Sequence, residues 1–150
     1  MHYLLYTDGA YYPDHERSAI SYVMINAKTK REERRLSQTV KGETSGRAEI
    51  KAIISAVYAL PSDADSCTII SDSRYALDAC SRKAIRYHNG DLFVLFDKIV
   101  EARGLSVTYQ WVRAHNGNFY NELCDALCKQ AIDEYNKPMI KVFVKGEKGG

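Results

Sequence analysis

The chain has no dominant charge, no cysteine framework and no apolar run of membrane-spanning length, and each absence narrows what it can be. Its 21 basic and 19 acidic residues leave a formal charge of +2 and a pI near 8.3. That balance is too mild to declare nucleic-acid binding by charge alone. No stretch approaches the ~20 apolar residues of a spanning helix, and MHYLLYTDGA lacks the basic leader, apolar core and cleavage site of a secretory signal. The expectation is a cytoplasmic chain that meets no membrane. The four cysteines form no tight pattern, which fits a reducing compartment where they remain thiols. Cys124 and Cys128 stand close to His115 and raise the question of zinc. His115, however, lies upstream across a Gly/Asn-rich turn, and no second close Cys or His pair exists, so a closed four-ligand site would need long-range convergence. Two small thiols on the buried face of a helix are the better reading. No internal repeat is evident, and only the closing KGEKGG has low complexity.

What is present suits one well-cored domain: 150 residues, 45% of them hydrophobic. Residues 3–12, 18–27 and 32–40 are rich in Tyr, Val, Ile and Leu and are separated by the polar breaks PDHERS and KTKR, predicting three strands in an antiparallel meander. From Gly46 the period changes. Ala48, Ile50, Ala52, Ile53, Ala56, Val57 and Leu60 recur at helical intervals until Pro61. A short apolar strand follows at 67–72, then a helix from SRYALDAC with Asp72 or Ser73 at its cap. A helix over 91–103 ends at Gly104, a strand spans 105–112, and a last helix runs over 118–135, stopping before Pro138. The order β-β-β-α-β-α-α-β-α predicts an α/β fold, a mixed five-stranded sheet with helices on both faces.

Four acids stand out from the solvated majority. Asp8 falls inside the first strand and shares a face with Leu4 and Tyr6, where an unpaired charge is costly. Glu49 lies in the first turn of the first long helix, Asp72 ends the central strand at the lip where open α/β sheets place ligands, and Asp125 sits amid Leu123, Ala126 and Leu127. Each has a plainer explanation: a bulge for Asp8, helix-dipole compensation for Glu49, an N-cap for Asp72 and an exposed helical position for Asp125. Taken together, several hard oxygen ligands without a His or Cys shell suit Mg2+, and two ions about 4 Å apart can clamp a phosphodiester undergoing in-line displacement.

The segments YTDGA, GRAEIKAI, IISDSRYAL and WVRAHNGNFYNELCDALCKQA, in this order, resemble type 1 ribonuclease H. The last keeps H-x-G-x-x-x-N-x-x-x-D through His115, Gly117, Asn121 and Asp125. The resemblance implies the ribonuclease H-like fold over residues 1–137 and endonucleolytic hydrolysis of the RNA strand of RNA·DNA hybrids, leaving 3′-hydroxyl and 5′-phosphate ends. It implies two Mg2+ ions, with Mn2+ a possible substitute, held by Asp8, Glu49, Asp72 and Asp125. His115 gains a proton-transfer or product-release role, consistent with a near-neutral imidazole pKa. Gly9, Ala10, Thr44, Ser45, Gly46, Arg47 and Asn121 become candidate substrate contacts, although Thr44 or Ser45 equally caps the helix. A monomer acting on a hybrid is expected.

The chain departs from many bacterial relatives between Asp72 and His115, where it has only CSRKAIRYHNGD in place of an added helix and a basic, Trp-containing protrusion. Arg82, Lys83, Arg86 and His88 are then either a reduced basic patch or a solvated helix end. Weaker, salt-sensitive hybrid binding follows unless another segment compensates. One candidate is the basic tail over 138–150, whose apolar run suits an extra edge strand and whose last residues suit disorder. KTKREERR reads as a solvated turn. Two rivals stay open: a non-catalytic hybrid or double-stranded RNA binder of the same fold, and a related nuclease with another substrate.

Overall fold

The computed structural model describes residues 1–136, so the tail over 138–150 and the domain boundary at 137 lie outside the described residues. The chain runs β1 (His2–Tyr12), a 3-10 turn (Pro13–His15), β2 (Arg17–Asn26), β3 (Glu32–Lys41), α1 (Ser45–Tyr58), β4 (Ser66–Ser71), α2 (Arg74–Cys80), α3 (Gly90–Ala102), β5 (Ser106–Trp111) and α4 (Phe119–Tyr135). The expected order of strands and α-helices is found, and only the 3-10 turn was not anticipated. The five strands form one sheet in the order β3-β2-β1-β4-β5. β1, β2 and β3 pair antiparallel, whereas β4 pairs parallel with β1 and with β5.

Alternation along the strands assigns each face to its helices. Tyr3, Leu5, Tyr22 and Met24 pack with Ile50, Ile53 and Val57 of α1 and Phe93 and Phe96 of α3. Leu4, Tyr6, Val23 and Ile25 pack with Cys124 and Leu127 of α4 on the other face. β2 is therefore covered on both sides and buried along almost its whole length, while β3 is an edge strand with a largely polar, exposed sequence. Each large aliphatic side chain removed from water here contributes about 1.5–3 kcal/mol.

Helix starts are set by side-chain caps. Thr44 Oγ1 accepts from Arg47 N at 3.1 Å, Ser73 Oγ from Ala76 N at 3.2 Å and Asn118 Oδ1 from Asn121 N at 3.0 Å, satisfying amides left free in a first turn. The β2–β3 connection is the solvated turn expected of KTKREERR: Asn26 Oδ1 takes the amides of Lys28 and Thr29, and Arg35 pairs with Glu32.

The basic segment after α2 folds inward. Arg86 donates to both Asp97 carboxylate oxygens and to the carbonyls of Ala79 and Cys80, and its guanidinium lies 5.0 Å from the Phe93 ring centroid. Arg82 joins the same carboxylate at 2.7 Å. Two of the four members of the expected basic patch thus share one acid, and Arg86 turns inward, which neither reading of that segment anticipated: Arg86 is a structural rivet. Among the described residues, no helix is long and apolar enough to cross a membrane.

Candidate active site

The parallel register of β1 and β4 brings two acids together. Its last pair is Tyr6 with Ile70. Two residues further along each strand come Asp8 and Asp72, at the same level where β4 has ended and the sheet opens. The third acid arrives from α1. An added Cβ on Gly9 would stand 2.4 to 2.5 Å from backbone atoms of Ala48 and Glu49, so only glycine lets α1 approach β1 this closely. Carboxylate oxygens of Asp8, Glu49 and Asp72 all lie within 4.8 Å of one another.

Electrostatics make this a strained group without a counterion. Asp8 is 6% exposed. Burial first, then repulsion from Asp72 and Asp125, pushes its carboxyl up to about 7, although a proton shared with Glu49 and the Gly9 N–H work the other way. Glu49 is raised well above the ordinary glutamate range by burial and by the charges of Asp8 and Asp72. Burial also raises Asp72, opposed by a hydrogen bond from the Asn121 side chain and by the nearby charge of His115. Glu49 Oε2 is buried with no hydrogen-bond partner. A divalent cation suits this donor set: the oxygens are hard, no thiolate or imidazole belongs to the group, and a cation supplies the partner that the buried oxygen lacks.

Asp125 stands apart from the trio. It lies on α4 close enough to raise Asp8 and Asp72, but its carboxylate is bonded to Lys129 Nζ at 3.1 Å. Lys129 was missed in the sequence, although an acid followed by a lysine four residues on is a legible helical pair. His115 sits on the exposed loop before α4 in left-handed backbone with φ +54°, beside an open cavity of about 330 Å³ lined by Val112, Arg113, Asn116, Gly117 and Asn118.

The remaining candidates divide by what they touch. Asn121 is 3% exposed and bonds Asp72, so it orients an acid. Gly9 packs against α1 as described, with Ala10 following it on β1. Thr44 is the cap of α1. Ser45 and Gly46 open that helix, with Gly46 facing the Tyr75 ring. The Arg47 fork is taken by both Asp91 oxygens at 3.0 and 2.8 Å and by Asn89 Oδ1 at 3.1 Å, which ties the start of α1 to α3. The cysteines hold α4 to the sheet. Cys124 Sγ donates to the Tyr6 carbonyl at 3.4 Å and Cys128 Sγ to the Asp8 carbonyl at 3.6 Å, and burial pushes the Cys124 thiol up to about 12, far from a thiolate ligand.

Comparison with known proteins agrees with this geometry. The family model for RNase H matches residues 1–133. A ribonuclease HI of Synechocystis is 34% identical over 141 residues, covering 85% of this chain and 85% of the relative. A ribonuclease H of Anaeromyxobacter dehalogenans is 39% identical over 99 residues, 59% of this chain. The matched region spans about half of that relative, 54% of its length. RNase H1 from the halophilic archaeon Halobacterium salinarum superposes with a TM-score of 0.75 at 20% identity, over 89% of this chain and 99% of that one, a likeness of fold.

Proposed function

The chain belongs to the ribonuclease H family, and from that premise we propose that it hydrolyses the RNA strand of RNA·DNA hybrids with the help of two divalent ions, leaving 3′-hydroxyl and 5′-phosphate ends. The observation that carries this reading is the converging trio of Asp8, Glu49 and Asp72 with a buried, unpartnered Glu49 oxygen. In a protein with no use for a cation such a cluster is only a cost, because like charges in a desolvated site oppose each other. Asp8, Glu49 and Asp72 would hold the metal, Mg2+ first and Mn2+ as substitute, with Asp125 joining after release from Lys129. When bound, the ions supply positive charge that activates a water and stabilises the leaving oxygen.

The chain's own groups do the rest. Asn121 keeps one Asp72 oxygen oriented through its buried amide. The Gly9 N–H favours the charged forms of Asp8 and Glu49, the forms that a cation needs. His115, exposed at the rim and near Asp72, is placed to carry a proton to or from the cleaved strand. Hybrid selection rests on 2′-hydroxyl and minor-groove contacts along the loop leading into α1 and the start of that helix, from Thr44 to Arg47, and along Gly9 and Ala10. The protein acts as a monomer inside the cell.

The deciding experiment compares a labelled hybrid with matching RNA duplex, DNA duplex and single strands, with and without Mg2+. Metal-dependent cutting confined to the RNA of the hybrid is expected. Binding without cutting points to the non-catalytic rival, and preferential cutting of another substrate to a related nuclease.

A further inference from the structure

A groove of about 190 Å³ beside the carboxylate cluster collects groups that the proposed reaction leaves unused, among them Arg74, Asp78, Ser81, Lys83 and Trp111. The Arg74 guanidinium lies over the Trp111 ring, 4.1 Å from its centroid, and the Trp111 indole N–H donates to the Asp72 carbonyl at 3.1 Å. Arg74 and Lys83 are both exposed, and neither has an ion-pair partner among the described residues. This sets them apart from Arg82 and Arg86, which share Asp97.

A guanidinium resting on an indole is already oriented, so little freedom remains to be lost when it grips an anion. Its fork matches two phosphate oxygens, and a lysine adds a point charge without directional demand. Asp78 weakens the field but does not cancel it, since two cations face one acid in the groove. Arg74 is two residues from Asp72, and the Trp111 hydrogen bond links the groove rigidly to that acid. A polymer with one phosphodiester at the cluster therefore carries neighbouring phosphates within reach of Arg74.

We propose that Arg74 and Lys83 form a backbone-phosphate subsite for the nucleic-acid strand that lies across the carboxylate cluster. The proposal takes from the function above only that the ligand is a nucleic acid. Because this subsite is separate from the acids, it sets binding and salt dependence and leaves the chemical step alone.

Trp111 is the single tryptophan of the chain, so its emission reports on this groove. The full chain is titrated with a short RNA·DNA hybrid in EDTA over a range of salt, and cleavage is measured separately with Mg2+. Trp111 emission should change saturably with hybrid. Arg74→Gln and Lys83→Gln should each weaken binding roughly fivefold and flatten the plot of log affinity against log salt by about one unit. Asp78→Asn should tighten binding, and kcat at saturating hybrid should stay near wild type in all three. Lys83→Gln lies off the indole stack and keeps the test sound if Arg74→Gln disturbs Trp111. Unchanged affinity and slope in Lys83→Gln and Asp78→Asn overturn the subsite while wild-type cleavage upholds the hydrolase. The expected slopes without any cleavage by wild type uphold the subsite and overturn the hydrolase. A wild-type chain that binds no nucleic acid overturns both, and an emission change produced equally by inorganic phosphate and unaffected by the substitutions in hybrid overturns the polymer assignment.

Discussion

Two places in this molecule take charge out of water, and they treat it in opposite ways. Around Arg86 each guanidinium nitrogen has an acceptor, from two carbonyls at the end of α2 and both oxygens of Asp97, and the group lies over the face of Phe93. Around Asp8 the charges are all of one sign, one glutamate oxygen has no partner, and the acids resist ionisation. The first arrangement stabilises the fold. The second opposes it, as is usual where a site is kept ready for a ligand that completes it.

The largest expected effect comes from neutralising the uncompensated site. Asp8→Asn should reduce metal-dependent hybrid cleavage at least ~1,000-fold, as the loss of a proposed metal ligand implies. It should also stabilise the metal-free protein at pH 8. The folded Asp8 pKa, about 7, is raised above its unfolded value. Its contribution to stability is therefore full below pH ~4 and is lost as pH rises through about 7, an effect of roughly 2–4 kcal/mol. Thermal melts in EDTA from pH 4 to 8 should show wild type losing stability relative to Asp8→Asn, and added Mg2+ should close the gap by binding the folded state. Parallel melting profiles for the two proteins would contradict the picture of a like-charged cluster.

Breaking the compensated site should do the reverse. Arg86→Ala leaves Asp97 with only the exposed Arg82 and takes one donor from each of two helix-end carbonyls, Ala79 keeping the Arg82 amide and Cys80 the Tyr109 hydroxyl, and should cost roughly 2–4 kcal/mol in urea unfolding. Cleavage per folded molecule should stay near wild type. His115→Ala, on an exposed loop, should lower kcat roughly 10- to 100-fold and leave the melting temperature where it was. The smallest effect is expected of Lys129→Gln, which removes an exposed i,i+4 pair and should change stability by less than ~0.5 kcal/mol. It should also free Asp125 for metal, seen as tighter Mg2+ binding by calorimetry.

Much of this was legible in the chain itself. Period-two segments became strands and the period-3.6 stripe of Ala48, Ile53 and Val57 became α1, because burial of one face is written in spacing. The four acids could be picked out because each sits where an acid is costly or at a strand or helix end. Less legible was how each acid is held. The i,i+4 pairing of Asp125 with Lys129 is local and was overlooked, but nothing local shows that the other three acids crowd together. Nor does CSRKAIRYHNGD reveal that Arg86 turns inward to Asp97, seventeen residues beyond Cys80, whereas Lys83 faces water. Nor is it legible locally that the Arg47 fork is held by Asp91, 44 residues away. Contacts of that separation depend on how the helices are docked.

The sequence by itself determined the elements, their order, the family and the candidate acids, since periodicity, caps and short motifs are local properties of the chain. Only the tertiary structure decided which acids converge, which cations are neutralised and which remain free. Those outcomes depend on the β1–β4 register, on the close approach that Gly9 permits, and on the docking of α3 and α4, all set by packing between segments far apart in sequence.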